Sequence, residues 1–275
     1  MVSGKEVQMK QSRKNRKKLT KAGRIITDLI LVVAICVAGY SGFKLYEGLS
    51  TYNQSKNVYE DIRETAVKKP ETVQQPAQDS ALKEDRQEEV WTVDHAALAQ
   101  MNPDYVGWIR MKNSYIDYPM VQGTDNSFYL DHLYTKEYNN VGSVFLDCGN
   151  SRDFTDRNTV IYAHNVKNGT MFMEIAKFED PSYYATHDVI EIYTQQCNYK
   201  LYPVAGILTT GADNYVAFNF GSDEEFLNYV SYFTSNSTFT SNTSLNPGDQ
   251  TVLLSTCSYS LQDGRYALLC KLVKE

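Results

Sequence analysis

Paired cysteines are missing from this chain of 275 residues. Its five cysteines, Cys36, Cys148, Cys197, Cys257 and Cys270, lie far apart, and none stands in a C-x-x-C spacing. That argues against a structural zinc site and gives no support to a disulfide framework. Histidine is scarce too, with only His95, His132, His164 and His187. Acid is nearly absent from residues 1–24, where Glu6 stands alone against nine Lys and Arg; that segment carries a net +8 and leaves −14 to the rest of the chain. Large apolar residues are nearly absent from "AVKKPETVQQPAQDSALKEDRQEEV" (66–90), which cannot bury enough surface to order itself and reads as a flexible linker. No internal repeat divides residues 91–275.

What remains is ample for one sizeable core: 42% of residues are hydrophobic and 12% aromatic. A basic arm alone would fit nucleic acid or an anionic surface, but the next segment decides for the lipid bilayer and against nucleic acid. Residues 25–46, "IITDLILVVAICVAGYSGFKLY", hold an apolar run that, extended to Phe43, is about long enough to cross a membrane. Its one acid, Asp28, lies near the basic end, within reach of the interface. Basic residues before such a span predict a single-pass protein of the cell membrane, with residues 1–24 cytoplasmic and everything after the span outside. A cleaved signal peptide, with "CVA" before Gly39 as its site, is the alternative. Leu45, Leu49, Tyr52, Lys56, Tyr59 and Ile62 recur at spacings of three and four, which predicts that a helix continues through 47–65 as a stem. The folded domain is expected over 91–275.

Within that domain, apolar runs alternate with turn signals and predict strands at 105–111, 115–121, 142–147, 158–164, 187–194, 198–208, 250–257 and 265–274. Eight strands in one domain predict a mainly β fold closed into a barrel. Flanking helices are expected at 94–101, 169–178 and 222–235, the last opening on an N-cap followed by acids, "SDEE".

The chemistry is concentrated at strand ends. "LLSTCSYSLQDGRYALL" places Cys257 where an apolar run gives way to a loop, and Arg265 where the next run begins. Cys270 instead alternates within the last strand and reads as core, and Cys148 and Cys197 also read as structural. Among the histidines only His164 has a suggestive context, closing the run "NTVIYAHN". A thiol is nucleophilic as thiolate and needs a nearby cation or base. An imidazole supplies that and later protonates a leaving amine, while an arginine can hold a developing oxyanion. A cysteine hydrolase would use the same three residues, whereas a silent binding module on a membrane stem would need none of them. Asn168-Gly-Thr, Asn236-Ser-Thr and Asn242-Thr-Ser match a glycosylation acceptor pattern but read as composition.

Together, "NPDYVGWIRM", "IDYPMVQGTDNSFYL", "GSVFLD", "NTVIYAHN" followed by "MFMEIAKF", and "LLSTCSYS" followed by "GRYALL" resemble a class B sortase over roughly residues 100–275. The resemblance implies the eight-stranded sortase-type β-barrel behind an N-terminal transmembrane helix and linker. It implies a membrane-anchored cysteine transpeptidase of Gram-positive type bacteria, needing no metal or cofactor. Such enzymes cut the sorting-signal peptide of surface proteins after its threonine, hold the protein as a thioacyl intermediate and pass it to a peptidoglycan amine or a pilin-type lysine. By resemblance Cys257 is the nucleophile, His164 the general acid/base and Arg265 the oxyanion or substrate-orienting residue. Asn126, Leu130, Tyr162, Ser255 and Thr256 match positions lining the peptide groove, and Tyr215 and Val216 fall in the variable loop before the cysteine strand. That loop, 213–239, carries a helix in class B members and shapes specificity. One departure stands out: the common pattern has Thr four residues before the cysteine, where this chain has Leu253.

Overall fold

The computed structural model describes residues 20–68 and 91–275. Most of the basic arm (1–19) and of the expected linker (69–90) therefore lie outside the described residues. Helix α1, Lys21–Ala66, runs without a break through the apolar segment. Among the described residues it is the one helix long and apolar enough to cross a membrane. The chain separates into two compact units, one ending at Ser50 and one running from Thr51 to Glu275.

The second unit begins much earlier than Trp91. Along α1, Ser55, Tyr59, Ile62 and Ala66 are buried, a stripe at helical spacing that packs on the core. Tyr59 donates its hydroxyl to the Gly142 carbonyl at 2.8 Å and also meets Ser143 Oγ at 3.1 Å. Arg63 pairs with the Asp117 carboxylate at 2.8 Å and donates to its backbone carbonyl at 3.0 Å. Strand β1, Val67–Lys68, then pairs antiparallel with β2, Thr92–Val93. The expected free stem over 47–65 is thus docked over its last three turns, and the ends of the expected linker are tied together. The stripe holds only about one apolar residue per turn, and Tyr59 and Arg63 add directional bonds on the same face.

The eight predicted strands form as β3 (Tyr105–Met111), β4 (Asp117–Val121), β5 (Val144–Leu146), β6 (Asn158–Tyr162), β7 (Ile190–Tyr193), β8 (Asn198–Thr210), β9 (Gln250–Cys257) and β10 (Gly264–Lys274); β3 and β9 keep the expected bounds, β4 to β7 are shorter, and β8 and β10 run slightly longer. They close into a barrel in the order β10-β8-β7-β3-β4-β5-β6-β9. The β4–β5 and β6–β9 pairs are parallel and the others antiparallel. On β9 and β10, alternate residues serve two cores. Val252, Leu254, Tyr266, Leu268 and Cys270 join the main core, while Leu253, Ala267 and Leu269 join Phe226, Val230 and Phe233 of a helix laid across the barrel.

Of the flanking helices, α2 (His95–Met101) is capped by Asp94, whose carboxylate accepts from Ala97 N at 2.9 Å. The expected helix over 169–178 shrinks to α3, Met173–Ala176, continued by a 3-10 turn, because Gly169 and Met171 both take positive φ. A further short helix, α4 (Pro181–Tyr184), starts on its proline. The helix across the barrel is α5, Asp223–Ser235; Ser222 Oγ accepts from Glu225 N at 3.1 Å, and three acids occupy its first turn.

The docked part of α1 generates a prediction. Ile62→Ala, which empties a 4% exposed site, should destabilise the Thr51–Glu275 unit by about 2–4 kcal/mol. Glu64→Ala, on the exposed side of the same turn, should stay within about 0.5 kcal/mol. Denaturant unfolding of both variants checks this; equal effects would mean the helix is not docked.

Candidate active site

The parallel β6–β9 ladder ends on Tyr162 opposite Ser255. Two residues beyond that pair on each strand stand His164 and Cys257, so both emerge at the same end of the barrel. The strand ends are stitched together: Ala163 N donates to the Ser255 carbonyl at 3.3 Å, Thr256 Oγ1 to the Ala163 carbonyl at 2.8 Å, and Asn165 Nδ2 to the Cys257 carbonyl at 2.9 Å. The antiparallel β9–β10 ladder sets Arg265 directly opposite Cys257, and residues so paired project to the same face.

Each of the three side chains is half-buried. His164 Nε2 lies 2.7 Å from the Leu130 carbonyl. A carbonyl only accepts, so Nε2 carries the hydrogen and Nδ1 is the nitrogen left for proton exchange. Arg265 is held by an ion pair to Asp263 at 3.0 Å, and its Nη1 also donates to the Asp263 and Gly264 carbonyls at 3.2 and 3.0 Å.

These residues line a cavity of about 320 Å³. Nine of the ten residues singled out in the sequence contribute to it: Cys257, His164 and Arg265, then Asn126, Leu130 and Tyr162, then Tyr215, Ser255 and Thr256. Val216 does not; it is partly buried against the core beneath α5. Tyr215 beside it belongs to the same second core, 6% exposed, yet reaches the cavity with its hydroxyl 2.9 Å from Ser255 Oγ. Burial pushes that hydroxyl above tyrosine's ordinary range. Leu130, 40% exposed, leaves an apolar side chain open to the cavity.

Phe145 and Ala163 also line the cavity and were not singled out. Their signal was present, since Phe145 lies in "GSVFLD" and Ala163 directly precedes the histidine. Asp147, which closes the first of those runs, bonds to two lining side chains, Asn126 and Tyr162. His95, His132 and His187 lie elsewhere, bonded to Tyr105, Asp131 and Thr186 respectively. Cys270 is fully buried and its thiol is pushed well up by burial. Among the described residues there is no cluster of His, Cys, Asp and Glu able to hold a metal ion. A reachable thiol, an imidazole with one free nitrogen and a clamped guanidinium are the groups that thiol-based acyl transfer needs.

Comparison with known proteins bears on the same region. The sortase domain family matches residues 109–273. Sortase B of Listeria monocytogenes serovar 1/2a is 34% identical over 178 residues, covering 64% of this chain and 72% of that protein. Among solved structures, a Staphylococcus aureus sortase B–substrate complex superposes with a TM-score of 0.63 at 30% identity, over 66% of this chain and 85% of that one. A sortase B complexed with triglycine gives the same TM-score and identity, over 66% of this chain and 86% of that one.

The burial contrast between the cysteines is testable by alkylation of the full chain in detergent. Iodoacetamide should label exposed Cys148 and half-buried Cys257 while Cys270 reacts on the order of 100-fold slower until the protein is denatured. Peptide mapping by mass spectrometry reads the result, and rapid native labelling of Cys270 would contradict the core packing.

Proposed function

Given that the chain belongs to the sortase family, and is thereby a cysteine transpeptidase of cell-wall anchoring, we propose that Cys257, His164 and Arg265 cut a C-terminal sorting signal after threonine and transfer the protein to an amine. The observation that carries this reading is the convergence of the three residues on one cavity from the ends of β6, β9 and β10.

In the proposed sequence the Cys257 thiolate attacks the threonine carbonyl carbon, and Arg265 holds the resulting oxyanion. Collapse of the tetrahedral species breaks the C–N bond as His164, protonated on both nitrogens, gives its Nδ1 proton to the leaving amine. The Leu130 carbonyl keeps hold of Nε2 throughout. An incoming amine then attacks the thioester, loses a proton to His164 Nδ1 and expels the thiolate. The relatives solved with a substrate and with triglycine support a peptide donor and an amine acceptor. A peptidoglycan amine suits the second step, with a pilin-type lysine as the other acceptor of the same chemistry. Asn126, Leu130, Tyr162, Tyr215, Ser255 and Thr256 are assigned to the peptide-binding walls.

The proposed placement follows from charge and length. Residues 1–24, with nine Lys and Arg, stay in the cytoplasm; residues 25–46 of α1 cross the lipid bilayer; the barrel unit lies outside.

Cys257→Ala should abolish turnover with circular dichroism unchanged, since Cys257 is at a strand end rather than in the core. Mass analysis of peptides with Thr-Gly and Thr-Asn bonds, with and without hydroxylamine, tests the chemistry on the full-length wild type. Transfer predicts an acyl-enzyme and a hydroxamate, whereas free acid at one rate regardless of amine would establish a hydrolase.

Arg265→Lys keeps the charge but not the planar fork of donors. Its kcat should fall by about 10²-fold, the scale of losing one oxyanion donor. Activity equal to wild type would remove Arg265 from the mechanism.

A further inference from the structure

A buried carboxylate that does not itself line the cavity controls two side chains that do. Asp147 directly follows β5 and is 5% exposed. Its backbone is tied into the barrel, donating to the Val160 carbonyl at 2.9 Å and accepting from Gln122 Nε2 at 2.8 Å. Its Oδ1 accepts from Gly149 N at 2.8 Å. Its Oδ2 accepts from Asn126 Nδ2 at 2.8 Å and from the Tyr162 hydroxyl at 2.9 Å.

An ionised carboxylate only accepts, so it dictates which atoms its partners present. Asn126 must turn Nδ2 toward Asp147, and its Oδ1 accepts from Cys148 N at 2.8 Å. Flipping the amide would lose both bonds. One Nδ2 hydrogen is left over. Tyr162 has used its only hydrogen on Asp147, and burial, then the Asp147 charge, push its hydroxyl far above tyrosine's ordinary range. It stays protonated, with a free lone pair on its oxygen. Because both groups reach the same Oδ2, they are neighbours on the cavity wall. The wall thus offers an N–H donor beside an oxygen acceptor, the complement of the C=O and N–H of an extended peptide.

We propose that Asp147 is a positioning residue that holds Asn126 and Tyr162 as a donor–acceptor pair, through which the groove grips the main chain of the sorting peptide whatever side chain it carries there. This rests on the peptide-transfer reading of the groove. It separates two tasks: the pair holds an extended backbone, and side-chain preference falls to other walls, such as the one built around Tyr215.

The test uses full-length protein in detergent, a Thr-Asn peptide and hydroxylamine as acceptor, together with depsipeptides in which one backbone N–H at a time is replaced by an ester oxygen. For wild type, one depsipeptide should lose about 5–10-fold in kcat/KM, mainly through KM, as expected for one main-chain hydrogen bond. Tyr162→Phe should raise KM for the parent peptide about 3–10-fold and be insensitive to that same ester. Asp147→Asn should behave likewise, and the double variant should be no worse than the worse single, because both act through one contact. Melting temperatures report folding; if Asp147→Asn does not fold, Tyr162→Phe, which loses a single oxygen, decides alone. Wild type with no ester-sensitive position, or Tyr162→Phe as sensitive as wild type, overturns the proposal while leaving the transferase reading intact. Failure of wild type to turn over any of the peptides overturns both.

Discussion

The parallel pairing of β6 with β9, from Asn158 opposite Thr251 to Tyr162 opposite Ser255, is the contact on which the rest of the molecule depends. It completes the barrel, and its direction decides where the proposed nucleophile and acid/base sit. A parallel pair delivers the C-terminal ends of both strands to one rim, so His164 and Cys257 meet there although 93 positions separate them in the chain. An antiparallel pair of the same strands would leave them at opposite ends of the barrel. Parallel neighbours require a long crossover, and here it contains β7, β8 and α5, so much of the domain is built between the two halves of the site. The tight antiparallel return into β10 then brings Arg265 back across from Cys257.

That seam needs support on both faces, and the residues supply it. Val252 and Leu254 fill the barrel while Leu253 enters the second core under α5, which is why this stretch reads as a continuous apolar run rather than an alternating one. A leucine where the common pattern has threonine is accommodated because the position faces an apolar helix and not the cavity. At the far end of the seam, Gln250 Nε2 donates to the carbonyls of Phe154, Thr155 and Asp156 at 3.2, 3.0 and 3.0 Å. The cavity is therefore framed by strand ends whose backbones are held at both termini, the situation in which loop-borne groups keep a defined geometry.

His164 has a longer line of support. Its Nε2 is bonded to the Leu130 carbonyl, and Gly142 packs against the same stretch; with φ +65 and a Cβ that would sit 2.6 Å from that carbonyl oxygen, only glycine fits there. The Gly142 carbonyl in turn accepts from Tyr59 on α1. The docked turns of α1 thus back the segment that orients the imidazole.

Local chemistry, readable one segment at a time, determined the apolar N-terminal helix, the eight strands, the cap at Ser222 and the placing of Cys257, His164 and Arg265 at strand ends. Each of these depends on patterns within a few residues: apolar period, β-branched runs, turn and cap chemistry. The family resemblance added the lining positions from Asn126 to Thr256. Tertiary structure alone decided the rest. Burial of Tyr59 depends on a partner 83 residues away in the chain, so the sequence shows a stem helix but not that its last turns dock. Positive φ at Gly169 and Met171 cut short the helix expected over 169–178. Val216 packs against the second core beneath α5 and does not reach the cavity. Asp147 escaped notice because a lone acid at the end of an apolar run has no periodicity to mark it; only folding brings Asn126 and Tyr162 to the same oxygen.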